Sequence, residues 1–363
     1  MAQSEHDSGA GPAAGIAERI DAARYRAAII PTILMAILAD HGRACGHDPD
    51  AWFDGTGLSA AQSHEPNQHV SYRQAMTIIR RALRAFGDVG LGLAVGGRES
   101  LSSFGMLGFA MMSSRTFGDA VAVGLEYHQI SGSLLDVHMQ RSGGAVALVA
   151  RERFPEAELL PFLCEEAFAS MSNVSRAMLG ARHRLLRAEF AYPAPRYVHA
   201  YEAAFDCPLR FGAAANRMWF DAGLLDEPLA TYNPISLAEA LRACRAQAAS
   251  VTTATEMLAS LERWLRPRLG RNPGAAEAAR ALHMTERTLR RRLAGEGTSF
   301  RALHDLLRAE RARQLLADPL RSIAEVGAEL GYSDGREFRR AFKRWTGLTP
   351  RELRGTAGPA ETA

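Results

Sequence analysis

The chain has 363 residues, too many for one core of ordinary size, and its 47% apolar and 23% charged residues are the balance of a folded chain rather than a disordered one. The net charge of +3 hides an uneven distribution: residues 261–354 carry 21 basic against 12 acidic side chains, a net of +9, and the remainder carries −6. A basic segment on an acidic body points to an acidic partner, nucleic acid first and membrane surface second.

Residues 1–22 read as a flexible tail, because the first fifteen carry acids and no basic run ahead of an apolar one, so no secretory signal is expected. Helical periodicity follows from about Ile16 to Asp40, with a break at Pro31. Its apolar run falls well short of the roughly 20 residues that span a bilayer, so no membrane partner is expected and the cytoplasm is the expected compartment. His47 to Val70 reads as a loop. Tyr72 to Phe86 is a predicted helix with Ala75, Ile78, Ile79, Leu83 and Phe86 on one face. A glycine-rich stretch, Gly87 to Gly97, precedes predicted helices over Phe104–Ser113 and Phe117–Gln129.

The period then changes. Leu134–Arg141 and Ala145–Arg151 read as strands of a hairpin turned at Ser142-Gly143-Gly144. Pro161–Leu179 is a predicted helix, Leu185–Tyr192 a strand, Arg196–Phe205 a helix, and Leu209–Phe220 one or two strands. Beyond residue 221 only helical patterns remain. The expected fold is therefore an α+β domain over 23–232, a linker over 233–250, an all-α domain over 251–354, and a tail over 355–363.

Several chemistries are set aside in the first domain. Gly90-Leu91-Gly92-Leu93 lacks the lysine and hydroxyl of a phosphate loop and follows a helix, so its glycines are expected to serve packing or turns. His41, His47, His64 and His69 fit no metal-ligand spacing, and no metal or cofactor is expected. Glu165 and Glu166 are adjacent on a helix and cannot face each other. Ser172, Ser175 and His183 lack a nucleophile-elbow context, and Arg115 with Asp119 reads as a helix-start pair. Cys45, Cys164, Cys207 and Cys244 lie far apart, which argues for reduced thiols. It also argues against the alternative of a DNA-repair enzyme joined to a DNA-binding domain; a constitutive DNA binder without effector is a further alternative.

The basic region contains a repeat. Ala276-Glu277-Ala278-Ala279-Arg280-Ala281-Leu282-His283-Met284-Thr285 aligns with Ala324-Glu325-Val326-Gly327-Ala328-Glu329-Leu330-Gly331-Tyr332-Ser333 at an offset of 48, and Leu289–Leu293 aligns one residue later with Phe338–Phe342. Each copy reads as a helix, a tight turn and a second helix capped by Thr285 or Ser333. Ala279 and Gly327 supply the small residue needed where the helices cross. Gly331 can take positive φ in its turn, where His283 stands in the first copy. Leu289 and Leu293 face the core in one second helix, and Phe338, Ala341, Phe342 and Trp345 in the other. Arg287, Arg290 and Arg291, then Arg336, Arg339, Arg340 and Lys343, are left outside, as base readers in a major groove require.

These residues resemble a family. Gly331-Tyr332-Ser333-Asp334, Phe338, Arg340-Ala341-Phe342-Lys343-Arg344, Gly347 and Pro350 stand where the DNA-binding domain of AraC/XylS-type transcription regulators has its signature. The resemblance implies two helix-turn-helix units joined by a helix over about Phe300–Ala317. It implies base reading by Arg287, Arg290 and Arg291, then Gly335, Arg336, Arg339 and Arg340, with Thr285, Thr288, Ser333 and Lys343 completing the DNA-contacting set. Leu107-Gly108, Ser113 to Ala120, and Phe205 to Gly212 are similar to the N-terminal domain of the subgroup that includes ornithine-utilisation regulators. That resemblance implies an effector-sensing, dimerising domain. The expected partners are double-stranded promoter DNA, RNA polymerase, a small-molecule effector and a second copy, and the expected function is a transcription regulator, an activator rather than a repressor.

Overall fold

The structure, a computed structural model, describes residues 25–250, 255–318 and 320–356. It divides into two compact units, with the boundary between Glu256 and Met257.

The first unit begins with β1 (Ala28–Pro31), α1 (Ile33–Ala44), α2 (Asp50–Phe53) and β2 (His69–Ser71). The helix expected from Ile16 is thus replaced over Ala28–Pro31 by a strand pairing antiparallel with β2; the portion before Tyr25 lies outside the described residues. Ile29 and Ile30 are β-branched, and the residue before a proline avoids helical geometry, so this short stretch pairs instead of coiling. The expected loop over 47–70 is irregular but not solvated: Trp52, Phe53, Leu58 and Ala60 are buried.

Next come α3 (Tyr72–Phe86), α4 (Leu91–Gly96), α5 (Gly105–Met112) and α6 (Phe117–Glu126). Ser71 and Gln74 form a capping box at the start of α3, and Thr116 and Asp119 one at α6. The hairpin β3 (Leu135–Ser142) and β4 (Ala145–Glu152) is in register from Leu135↔Glu152 to Ser142↔Ala145. After it follow α7 (Leu160–Leu179), β5 (Leu185–Glu189), α8 (Val198–Phe205), β6 (Leu209–Arg210), β7 (Asn216–Asp221) and α9 (Pro234–Ser250). Among the described residues a five-stranded sheet runs β3-β4-β7-β5-β6, antiparallel except for β5 with β6.

Helix α7 is the spine of this unit. Helix α4 lies against it because Gly92 and Gly96 carry no side chain there; a methyl group on Gly96 would collide with the Glu166 carbonyl. Val146, Leu148 and Ala150 of β4 join the main core, while Ala147, Val149 and Trp219 pack on the other sheet face, with the Arg187 guanidinium 4.2 Å from the Trp219 ring. Residues 233–250, read from sequence as a linker, form α9. Its Ala240 and Cys244 are fully buried with Leu107 and Ala110 of α5. An 18-residue segment with so few large apolar positions reads as a linker until the surface that covers it is known.

The second unit is all-helical: α10 (Glu256–Leu265), α11 (Ala275–Ala281), α12 (Glu286–Gly295), α13 (Phe300–Leu316), α14 (Ile323–Glu329), α15 (Gly335–Thr346) and α16 (Pro350–Thr356). Leu261, Leu289, Leu293, Leu307, Leu316, Phe338 and Phe342 belong to one hydrophobic core among its described residues. No helix among the described residues is long and apolar enough to cross a membrane.

Candidate functional site

The pairs α11–α12 and α14–α15 are two copies of one backbone motif. In the first turn Leu282, His283 and Met284 N–H groups donate to Ala278, Arg280 and Ala279 carbonyls at 3.0, 3.0 and 2.9 Å. In the second, Leu330, Gly331 and Tyr332 donate to Val326, Ala328 and Gly327 at 3.2, 3.0 and 2.9 Å. Both turns need one residue at positive φ, His283 at 52° and Gly331 at 82°. At Gly331 the requirement is twofold, since a Cβ would also strike the Gly270 carbonyl. Where the helices cross, Ala279 is buried, and a methyl on Gly327 would press on Phe338 at 3.2 Å.

Past the turn the offset becomes 49. Thr285 caps α12, its hydroxyl accepting from the Thr288 N–H at 3.2 Å. The counterpart cap is Asp334, whose carboxylate accepts from the Arg336 N–H at 2.8 Å. Ser333, expected as that cap, is instead the extra residue of the second turn, and it is exposed. Asp334 has the extended backbone that an N-cap needs, and its charge suits a helix start. With the cap fixed, Leu289 and Leu293 correspond to Phe338 and Phe342, all fully buried. Arg287, Arg290 and Arg291 correspond to Arg336, Arg339 and Arg340, all exposed, as is Lys343. Thr285, Thr288 and Gly335 stand at the same helix starts.

The structure also shows which arginines are not available. Arg308 is buried and donates to the Leu269 carbonyl at 3.3 and 3.1 Å. Arg268 donates to the Trp264 carbonyl at 2.9 Å, and Arg354 to Leu316 at 3.2 Å. Arg311 and Arg321 bracket Glu329 at 2.7 and 2.5 Å. Arg290 pairs with Glu286, one turn earlier on α12. Among the described residues, Arg287, Arg291, Arg336, Arg339, Arg340 and Lys343 have no ion-pair partner.

Residues 46–229 match the family described as the arabinose-binding domain of AraC transcription regulators, N-terminal, and residues 278–356 match a helix-turn-helix domain. The chain belongs to the AraC-type transcription regulators. It is 28% identical over 330 residues to the ornithine utilization regulator of Pseudomonas aeruginosa, covering 91% of this chain and 97% of that one. It is 31% identical over 307 residues to an uncharacterized HTH-type transcriptional regulator of Mycobacterium tuberculosis, covering 82% and 88%. The crystal structure of the transcriptional regulator CdpR from Pseudomonas aeruginosa aligns over 77% of this chain and 91% of that one, with 29% identity and a TM-score of 0.42. This AraC-type protein is a DNA-binding transcription regulator with a sensor-type N-terminal domain.

The sensor unit of this AraC-type regulator holds a half-open cavity of about 130 Å³ between α7, α5, α6 and the β3–β4 hairpin. Its wall is mainly apolar, with Phe104, Leu107, Val121, Leu148 and Val174 among the lining residues. Two buried carboxyls, Glu99 and Glu166, share one stretch of the wall with Ser170, whose hydroxyl donates to Glu99. Burial pushes the pKa of both carboxyls up, that of Glu166 well above the usual range, where the neighbouring Glu99 carboxylate raises it further. The pair therefore keeps a proton where isolated carboxyls have lost theirs.

Sequence reasoning missed this pair. Glu165 and Glu166 do point apart: Glu165 accepts hydrogen bonds from Tyr197 at 2.7 Å, Tyr201 at 2.6 Å and the Gly92 N–H at 3.2 Å. The partner of Glu166 is 67 residues earlier, in a segment with no motif, so no local signal announced it. Among the described residues no three His, Cys, Asp or Glu side chains gather as metal ligands. His41 and His47 pack on the Phe86 ring, with centroids 5.4 and 4.2 Å from it.

Proposed function

We propose that this regulator reads two successive major-groove segments of double-stranded promoter DNA, with α12 in one and α15 in the next. Arg287, Arg290 and Arg291 address bases in the first segment, and Gly335, Arg336, Arg339 and Arg340 in the second. Thr285, Thr288, Ser333 and Lys343 hold the adjacent backbone. The observation that carries this reading is the matched pair of arginine triplets, exposed at the same positions of two like motifs and, Arg290 aside, unpaired. A guanidinium free of carboxylate partners is available for guanine O6 and N7.

The sensor unit supplies the control. Leu107 lines the cavity and is also buried against Ala240 and Cys244 of α9, the last element before the second unit in the chain. A small-molecule effector that shifts α5 therefore shifts α9, and this biases the population able to bind DNA. Activation through contact with RNA polymerase, a homodimeric state and a cytoplasmic setting complete the proposal.

Genomic fragments selected by the full-length protein test it. Selected sites should be bound with an affinity that falls steeply with salt, and paired Arg291→Ala and Arg340→Ala changes should abolish selection. Unaltered selection by that double variant would sink the assignment of these helices.

A further inference from the structure

Two carboxyls, Glu99 and Glu166, stand on the polar part of the cavity wall. The Glu166 carboxyl has as its hydrogen-bonding side-chain partner only another carboxyl, Glu99, and no cation stands within ion-pair distance of either among the described residues. His128 also lines the cavity, its Nε2 buried without a hydrogen-bond partner 3.8 Å from Asp136 and its Nδ1 3.0 Å from the Leu125 carbonyl. Nearby hydroxyl protons are already committed: Ser131 donates to the His128 carbonyl at 2.6 Å, Ser133 to Leu135 at 3.0 Å, and Ser170 to Glu99. Around Glu99 and Glu166 the wall thus offers carboxyl acceptors with the Ser170 hydroxyl already used, while the buried Ser175 hydroxyl, also on the wall, has no hydrogen-bond partner among the described residues. A cation placed beside such a buried carboxyl pair lowers the cost of ionising it.

Size guides the choice of the part of the ligand that enters the cavity. About 130 Å³ is close to the apolar cavity of roughly 150 Å³ that admits benzene. Met111, Met171 and Met178 on the wall are unbranched and can give way slightly around a ligand.

We propose that the effector cavity takes a small apolar amine, one ring or a short alkyl chain in the apolar part and its ammonium group on Glu99 and Glu166. The ammonium brings donors to both carboxyls and a charge opposite to theirs, and a carboxylate ligand brings the wrong sign. This rests on the sensing reading above and names the ligand class for it.

Calorimetric titration of the full-length protein with three probes of similar size decides the matter: 2-phenylethylamine, 2-phenylethanol and phenylacetate. The amine should bind at least tenfold more tightly than the carboxylate, with the alcohol between. In Glu166→Gln the amine should lose at least tenfold while the alcohol changes less than about twofold. Equal binding of the carboxylate, undiminished amine binding in both Glu99→Gln and Glu166→Gln, or no binding of any probe overturns the ligand class. The sensing reading is judged separately with Val174→Phe, which fills the cavity, in a promoter reporter. An output locked at one level keeps the sensor even if the amine fails, whereas an unchanged response removes the cavity from sensing altogether.

Discussion

The two helix-turn-helix copies reach one backbone by different chemistry. The second has glycine at the left-handed position, a charged cap at Asp334 and an aromatic interior, with Tyr332 and Phe342 rings 5.7 and 5.9 Å from Phe338. The first puts histidine in the left-handed position, a threonine hydroxyl at the cap and leucines inside. Its cationic face is also partly committed, through Arg290 and Glu286. The turn is set by its three hydrogen bonds, and residue identity sets how much that geometry costs. On this comparison the second copy is the firmer reader and the first the more adjustable one.

The comparison can be broken most decisively at the turns. Gly331→Ala combines a left-handed Cβ with a collision at Gly270 and should cost the helical unit about 2–4 kcal/mol. His283→Ala should cost less than about 1 kcal/mol, because a side chain already occupies that conformation. Denaturant unfolding of the full chain, followed through the transition of the helical unit, distinguishes them; equal losses would show that the two turns are not differently constrained.

Binding comes next in size. Arg340→Ala and Arg291→Ala should each weaken specific DNA binding by about 1–3 kcal/mol. Arg290→Ala should cost less than either, since its charge is already shared with Glu286. Fluorescence anisotropy on a selected site ranks the three, and a larger loss at Arg290 would invert the availability argument.

A smaller effect concerns α13, which joins the copies. Burial, with Arg308 adding to it, lowers the His304 pKa to about 4. The unfolded chain therefore binds more protons than the folded one between about 4 and 6.5, so stability is lost as pH falls through that window. His304→Leu should flatten this part of the pH–stability curve, and an unchanged slope would assign it to the carboxylates instead.

The smallest expected change is a gain. His283→Gly should stabilise the first turn by about 0.5–1 kcal/mol, the left-handed cost less the added freedom of the unfolded chain. A loss in thermal unfolding would show that the histidine side chain makes a contribution of its own.

Much of the reader was legible because its signals are local and stated twice. The 48-residue repeat announced both turns, and the spacing of Leu289, Leu293, Phe338 and Phe342 fixed which faces are buried. The misplaced cap at Ser333 shows the limit: an insertion of one residue can fall on either side of a turn, and only backbone geometry says which. In the sensor, α3 and the β3–β4 hairpin were legible for the same local reasons. Strand β1 was not, because a four-residue strand exists only through its partner 40 residues on.

Sequence by itself thus determined the class of molecule: an acidic α+β body, a basic helical reader, and the arginines that face outward. Tertiary structure decided what those residues are free to do. Of the arginines in the basic region, Arg308, Arg268 and Arg354 are spent on backbone carbonyls, and Arg311 and Arg321 on Glu329. The meeting of Glu99 with Glu166 at a cavity likewise arises from how α4 and its following turn lie on α7. Periodicity reports which face of an element is buried, but partners distant in the chain are chosen by packing, and packing is not written in any local pattern.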